Sequence, residues 1–194
     1  MTCSLDRSSD FSGIRKSMAM KGKLMSEQTA IWIGNDHGGF ELKSQIVEHL
    51  ASKGIAVHDV GCHTEEVVRY PYYAALVAEA IVKQEASRGI LICSTGIGMS
   101  IIANRYRGVR ASLCTSAHMG KMTRAHNDSN VLCLGGKITA KCDALEILDA
   151  WLATPFEGGR HQISLGLIRD AETAISSCGV WEPADPMDDG KKRT

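Results

Sequence analysis

Apolar residues recur along this chain with two alternating periods, and the alternation predicts strands interleaved with helices. Residues 30–34 form a short apolar run, followed by the turn Asp36-His37-Gly38-Gly39 and by Phe40, Leu42, Ile46, Val47 and Leu50 at helical spacing. Lys53-Gly54 stops that helix, and residues 56–61 alternate as a second strand. Pro71 suits the first turn of a helix whose apolar face is Tyr73, Leu76, Val77, Ala80 and Ile81. From Gly89 to Cys93 the run is unbroken and apolar, which reads as an interior strand. A helix bearing Ile101 and Ile102 stops near Gly108, a fourth strand spans 109–114, and Ser116 caps a helix ending near Ala125. A fifth strand covers 131–135, and Thr139 caps a long helix through Leu152. Pro155 and Gly158-Gly159 interrupt it before Ile163, Leu165, Leu167 and Ile168 mark a last helix. Parallel strands need crossover connections, and right-handed crossovers lay helices on both faces, so the expected class is α/β with a five-stranded parallel sheet between two helical layers.

Composition bounds this picture. The 194 residues are 44% hydrophobic and 23% charged, which suits one domain, placed at 29–175. Formal net charge is zero, so nothing recruits nucleic acid or an anionic membrane, and an anionic ligand needs a local cluster of cations. No apolar run approaches the roughly 18 to 20 residues of a membrane span. Residues 1–28 lack the apolar core of a secretory signal and read as a disordered extension. Met18, Met20 and Met25 stand just ahead of the first strand and suggest a start assigned too early; a transit peptide is the alternative. Residues 176–194 read as a mobile tail. Seven cysteines form no C-x-x-C pair and no metal-finger spacing, as expected of reduced thiols in the cytoplasm.

Candidate chemistry gathers where strands end, because ligands of open α/β sheets bind beyond the carboxyl ends of the strands. Cys93 closes the third strand, and Gly96 and Gly98 remove side chains so that backbone N–H groups can approach an anion or a developing oxyanion. Asp36, His37, Cys93, Ser94, Thr95, His126, Asn127 and Asp128 are expected to converge on one edge of the sheet, a set suited to acid–base work on a carbonyl compound. Taken singly, each has a plainer explanation. Cys93 reads equally as core filler, Thr95 as a helix cap, Tyr70 as a hydrophobic staple, and Lys137, Arg160 and His161 as solvated charges rather than a phosphate site. Gly96-x-Gly98-x-x-Ile101 lacks the third small residue of a dinucleotide fingerprint, so no nicotinamide cofactor is expected.

Assembled, these residues resemble the ribose-5-phosphate isomerase B family, which includes galactose-6-phosphate isomerase subunits. The resemblance spans about 30–171 and rests on Gly34-Asn-Asp-His-Gly38, Tyr70-Pro71, the 89–98 run, Asn104, Gly108-Val-Arg110, Arg124-Ala-His-Asn-Asp128, Leu134-Gly-Gly136 and Glu157-Gly-Gly-Arg-His-Gln162. It implies a Rossmann-like fold, a homodimer or homotetramer with active sites shared across the subunit interface, and an aldose–ketose isomerisation using no metal and no organic cofactor. The partner implied is a small sugar phosphate, ribose 5-phosphate first. By resemblance Cys93 moves a proton between C2 and C1, Thr95 relays the hydroxyl proton, and His126 with Asp36 opens the ring. Tyr70 and Asn127 bind the open chain, Ser94, Gly96, Gly98 and Ser100 line the enediolate, and His37, Lys137 and Arg160 face the phosphate. The chain departs from the family pattern where Lys137 and Ser164 replace arginines, Arg69 replaces an acidic residue and Ser94 replaces glycine. A lysine cannot reproduce an arginine's planar two-bond grip, so another aldose or aldose phosphate, or a binding module without catalysis, stand as alternatives. A thiol-based redox enzyme is weaker, for want of a resolving cysteine.

Overall fold

The computed structural model describes residues 30–180. In chain order its elements are β1 (Ile31–Asn35), a 3-10 turn (His37–Gly39), α1 (Phe40–Ser52), β2 (Val57–Asp59), α2 (Tyr70–Val82), β3 (Gly89–Cys93), α3 (Ile97–Ala103), β4 (Ala111–Leu113), α4 (Ala117–Asn127), β5 (Val131–Gly135), α5 (Lys141–Ala153) and α6 (Arg160–Cys178). The five strands are all parallel in the order β2-β1-β3-β5-β4. The expected α/β architecture is therefore the observed one.

The three central strands are apolar throughout because helices cover both of their faces. Ile33, Ile90, Ile92, Leu132 and Leu134 meet α1 and α5, whereas Leu91, Cys93, Val131 and Cys133 meet α2 and α3. The alternation along β3 and β5 is the two-residue period of a strand, read out on two cores rather than on a core and solvent. The fully buried Trp151 of α5 anchors the first core, and its Nε1–H donates to Ser129 Oγ at 2.8 Å, so the indole's only donor is satisfied. Burial alone drives the Cys114 thiol up to about 11, and it pushes Cys133 higher still, which makes both inert core residues.

Several boundaries differ from the sequence reading: the helix expected to stop near Gly108 ends at Ala103, and the one expected to end near Ala125 reaches Asn127. The edge strands β2 and β4 keep only three residues each, having a pairing partner on one side alone. Ala140, not Thr139, is the N-cap of α5, and no side chain caps that helix. α6 runs on through Cys178, past the expected domain end at 175. The expected extension at 1–28 and most of the expected tail lie outside the described residues. α6 buries only Leu165 fully and leaves Ile163, Leu167, Ile168 and Ile175 exposed. No helix among the described residues is long and apolar enough to cross a membrane.

Candidate active site

Three loops meet at the carboxyl edge of the central strands. After β1, the buried Asp36 caps the 3-10 turn by accepting the Gly38 N–H at Oδ1, 2.9 Å away. Asn35, wholly buried, donates from Nδ2 to the Asp36 carbonyl at 2.8 Å and to Cys62 Sγ at 3.2 Å. Below it Lys43 Nζ, also buried, donates to the Cys62 carbonyl at 2.6 Å and pairs with Asp59 at 2.9 Å. The Asp36 turn is thus held from beneath by α1 and the loop after β2. His37 Nδ1 accepts the Val68 N–H at 3.3 Å, which assigns the proton of the neutral ring to Nε2.

The second loop follows β3. Cys93 is 4% exposed, and its Sγ accepts the Gly96 N–H at 3.1 Å; Gly96 itself adopts φ +76 in the left-handed region that suits glycine. Thr95 Oγ1 accepts the Ile97 N–H at 3.4 Å, and the Ser100 hydroxyl donates to the Ile97 carbonyl at 2.8 Å. Ser94 and Thr95 are partly exposed. The ring of Tyr70 lies against the start of α3, so close that a Cβ on Gly98 would sit 2.7 Å from Tyr70 Cζ. The third loop, after β5, clips onto the second: Gly136 N–H donates to the Cys93 carbonyl at 2.7 Å and Lys137 N–H to the Ser94 carbonyl at 3.0 Å.

Small residues are needed because these backbones touch. A Cβ on Gly136 would lie 2.5 Å from the Gly38 carbonyl oxygen, and one on Gly39 would lie 2.6 Å from the Ile92 carbonyl oxygen. Gly39 has φ −104, which any residue adopts, so the effect of a side chain there is purely steric. Gly39→Ala is expected to cost about 1–3 kcal/mol of stability, measured by chemical denaturation, with the loss arising in the β3 contact.

The remaining candidates lie elsewhere, and here the expectation of a single converging edge is corrected. α4 leaves the carboxyl end of β4 and returns to the amino end of β5, so its last turn stands at the opposite edge of the sheet. There Asp128, the left-handed C-cap of α4, links Arg124 and Arg110, each at 2.8 Å. The Gly89 N–H, at the start of β3, donates to the Asn130 carbonyl. The length of β3, about 13 Å at 3.3 Å per residue, therefore separates His126 and Asn127 of one chain from Cys93 of the same chain. Helices that follow a parallel strand run antiparallel to it, so a residue at a helix's end lies a full strand length from the carboxyl end of the strand that precedes it.

Arg160 and His161, at the start of α6, share this amino edge. His126 and His161 stack with ring centroids 4.1 Å apart, and Glu157 lies 3.8 Å and 3.7 Å from their Nε2 atoms. Burial, His126 and Arg160 hold His161 below the usual imidazole range. The Glu157 contact was not foreseen; its place in the Glu157-Gly-Gly-Arg-His motif was the available signal. Each chain therefore presents two separate groups of candidate residues. Asp36, His37, Tyr70, Cys93, Ser94, Thr95, Gly96, Gly98, Ser100 and Lys137 are at one edge; His126, Asn127 and Arg160 are at the other.

Comparison with known proteins bears on both groups. A model of the Ribose/Galactose Isomerase family matches residues 31–168. Ribose-5-phosphate isomerase B of Escherichia coli strain K12 is 46% identical over 132 residues, covering 68% of this chain and 89% of that protein. The structure of Clostridium thermocellum ribose-5-phosphate isomerase B matches with a TM-score of 0.74 at 45% identity, over 75% of this chain and 99% of its own. That of Mycoplasma genitalium ribose-5-phosphate isomerase B with bound ribulose-5-phosphate matches at 0.71 and 38% identity, over 74% and 96%. The matched span takes in the cysteine loop, the His126–Asn127 turn and the start of α6 alike, and by it this chain belongs to the ribose/galactose isomerase family.

Proposed function

We propose that this protein is an aldose–ketose isomerase that interconverts ribose 5-phosphate and ribulose 5-phosphate, working in the cytoplasm as a dimer or a pair of dimers. The observation that carries the reading is the three-loop edge, where a cysteine sulfur closes a β-strand and receives a backbone N–H, in a chain whose relatives are ribose-5-phosphate isomerases B. Cys93 takes the proton from C2 of the open aldose, leaving an enediolate, and after exchange with solvent delivers a proton to C1 to give the ketose. Thr95 moves the hydroxyl proton between the two oxygens. Backbone amides of the 96–100 segment, already oriented by the fold, hold the charge that develops; such donors contribute about 3 kcal/mol each to barrier lowering. The chain's own residues carry every step, with neither a metal nor an organic cofactor.

His126, Asn127 and Arg160 come from a second subunit: that His126 opens the furanose with Asp36 of the cysteine edge, Asn127 and Tyr70 bind the linear sugar, and His37, Lys137 and Arg160 meet the phosphate. Two features support a second copy of this chain as the partner. One is the separation of the half-sites to opposite edges of one chain. The other is the groove between α6 and the β4 edge, lined by Val109, Ala111, Asn127, Leu167, Ile168 and Ile175, which abuts His126's own turn. Pairing about a two-fold axis buries the same patch on both subunits and forms two complete sites.

A panel of aldoses and aldose phosphates followed by proton NMR in deuterated water tests the reaction. Ribose 5-phosphate is expected to give ribulose 5-phosphate with solvent deuterium entering at the transferred position. Conversion of a different sugar at a higher rate would reassign the substrate, a shift that Lys137 and Ser164 favour by weakening the grip on phosphate. No exchange with any sugar would leave a binding module in its place.

A further inference from the structure

The amino-edge half-site has a second chemical capacity. Among the described residues, His126, Glu157 and His161 are the one set of three histidine, cysteine or acidic side chains whose ligand atoms all lie within 4.8 Å of one another. Metal bonds of about 2.0–2.1 Å in a tetrahedral site put neighbouring ligand atoms about 3.3 Å apart. The separations of 3.7 Å and 3.8 Å from the Glu157 carboxylate to the two Nε2 atoms come within half an ångström of that. The backbone already holds the three in place. The Glu157 N–H donates to the Ala125 carbonyl at 3.0 Å, tying its loop to α4 beside His126, and the His161 N–H donates to the Gly158 carbonyl at 3.1 Å.

We propose that His126, Glu157 and His161 bind a divalent transition-metal ion of the zinc or cobalt class, and that the bound ion withdraws His126 from the isomerase reaction. Two imidazoles and one carboxylate form a donor set that favours such ions over magnesium or calcium, which prefer oxygen ligands. The stacked rings, 13° from parallel, aim their lone pairs side by side, so binding requires one ring to turn about its Cβ–Cγ bond, a broad and soft torsion. The Arg160 cation opposes an ion here, but its side chain is exposed and its charge well solvated, whereas the Glu157 carboxylate lies directly against the site. Three protein ligands leave a further position open to solvent or to a sugar hydroxyl. The binding half of this proposal is independent of the proposed reaction; the inhibitory half rests on His126 opening the sugar ring.

Titration of the full chain with Co2+, followed in the visible range, is expected to give one equivalent bound per chain. The spectrum should lack the near-ultraviolet sulfur-to-cobalt band that ligation by the chain's cysteines produces, and Zn2+ should displace the Co2+. Glu157→Gln and His161→Ala, both near the surface and checked for folding by circular dichroism, are expected to lose that binding. In the isomerase assay, saturating Zn2+ should lower turnover by about 10²-fold, the contribution of a positioned acid–base group, and chelation should restore it. For each variant the ratio of turnover without and with Zn2+ should fall to near one. Binding that survives both substitutions, or that shows the sulfur band, overturns the site. Binding that depends on Glu157 and His161 without slowing an active enzyme overturns the inhibition alone. A chain that binds Co2+ through these residues but isomerises no sugar retains the metal site and loses the reading of the reaction.

Discussion

Replacing Cys93 by alanine is expected to lower kcat by about 10²- to 10⁴-fold, the range associated with removing a positioned base, while the protein stays folded. The fold should tolerate the change because the side chain is small. Its sulfur adds little volume to the α2–α3 core around Leu91 and Met99, so the loss is expected to be about 1 kcal/mol against a domain stability of about 5–15 kcal/mol. The measurement is a progress curve for ribose 5-phosphate isomerisation alongside a thermal melt. The same variant should stop deuterium exchange between solvent and sugar, since the proposed carbon base, whose sulfur sits on the Gly96 N–H at the end of β3, is then gone. Retention of turnover within a factor of a few would remove Cys93 from the reaction. The burial of the sulfur does not count against its role. A base that takes a proton from carbon works better with water excluded.

Mixing two inactive variants should restore activity. Cys93→Ala and His126→Ala each damage every site of a homodimer built from one variant. In a dimer containing one chain of each kind, both defects fall in one shared site and the other site is whole. With random pairing half of the dimers are mixed and half of their sites are intact, so coexpression of the two variants is expected to recover about a quarter of the normal rate. A rate that stays at the level of either variant alone would mean that His126 and Cys93 serve the same site within one chain. That outcome contradicts their placement at opposite ends of β3, and it would send the search for the ring-opening group back to the carboxyl edge, to Asp36 and His37.

Much of this was legible in the residues. The unbroken apolar runs at 89–93 and 131–135 identify central strands because only a strand covered on both faces drops its polar alternation, and both came out with those boundaries. Ser116 was read as a helix cap, and its hydroxyl does accept the Met119 N–H. The glycines at 38, 39, 96 and 136 read as loop residues, and the structure supplies their reason: three loop backbones packed within reach of one another. Thr139, expected as the cap of α5, stands one residue ahead of the true cap, because a threonine two residues before a helix carries no signal that separates a cap from a neighbour of one. The contact of Glu157 with His126 and His161 was hidden because the residues lie on three different segments, and only the spacing of Glu157 and His161 is local.

Local periodicity and turn chemistry, which depend on neighbours a few residues away, determined by themselves the fold class, the strands that form the centre of the sheet, and the loop that holds the cysteine. Only the tertiary structure decided which candidates can act together. The direction in which a helix returns across the sheet is a property of the whole crossover, and it carries His126, Asn127 and Arg160 a strand's length from Cys93 while leaving one face of α6 without cover. A list of reactive residues in order does not record that distance. The path of the backbone through space does, and it puts the candidates in two groups at opposite edges of one chain.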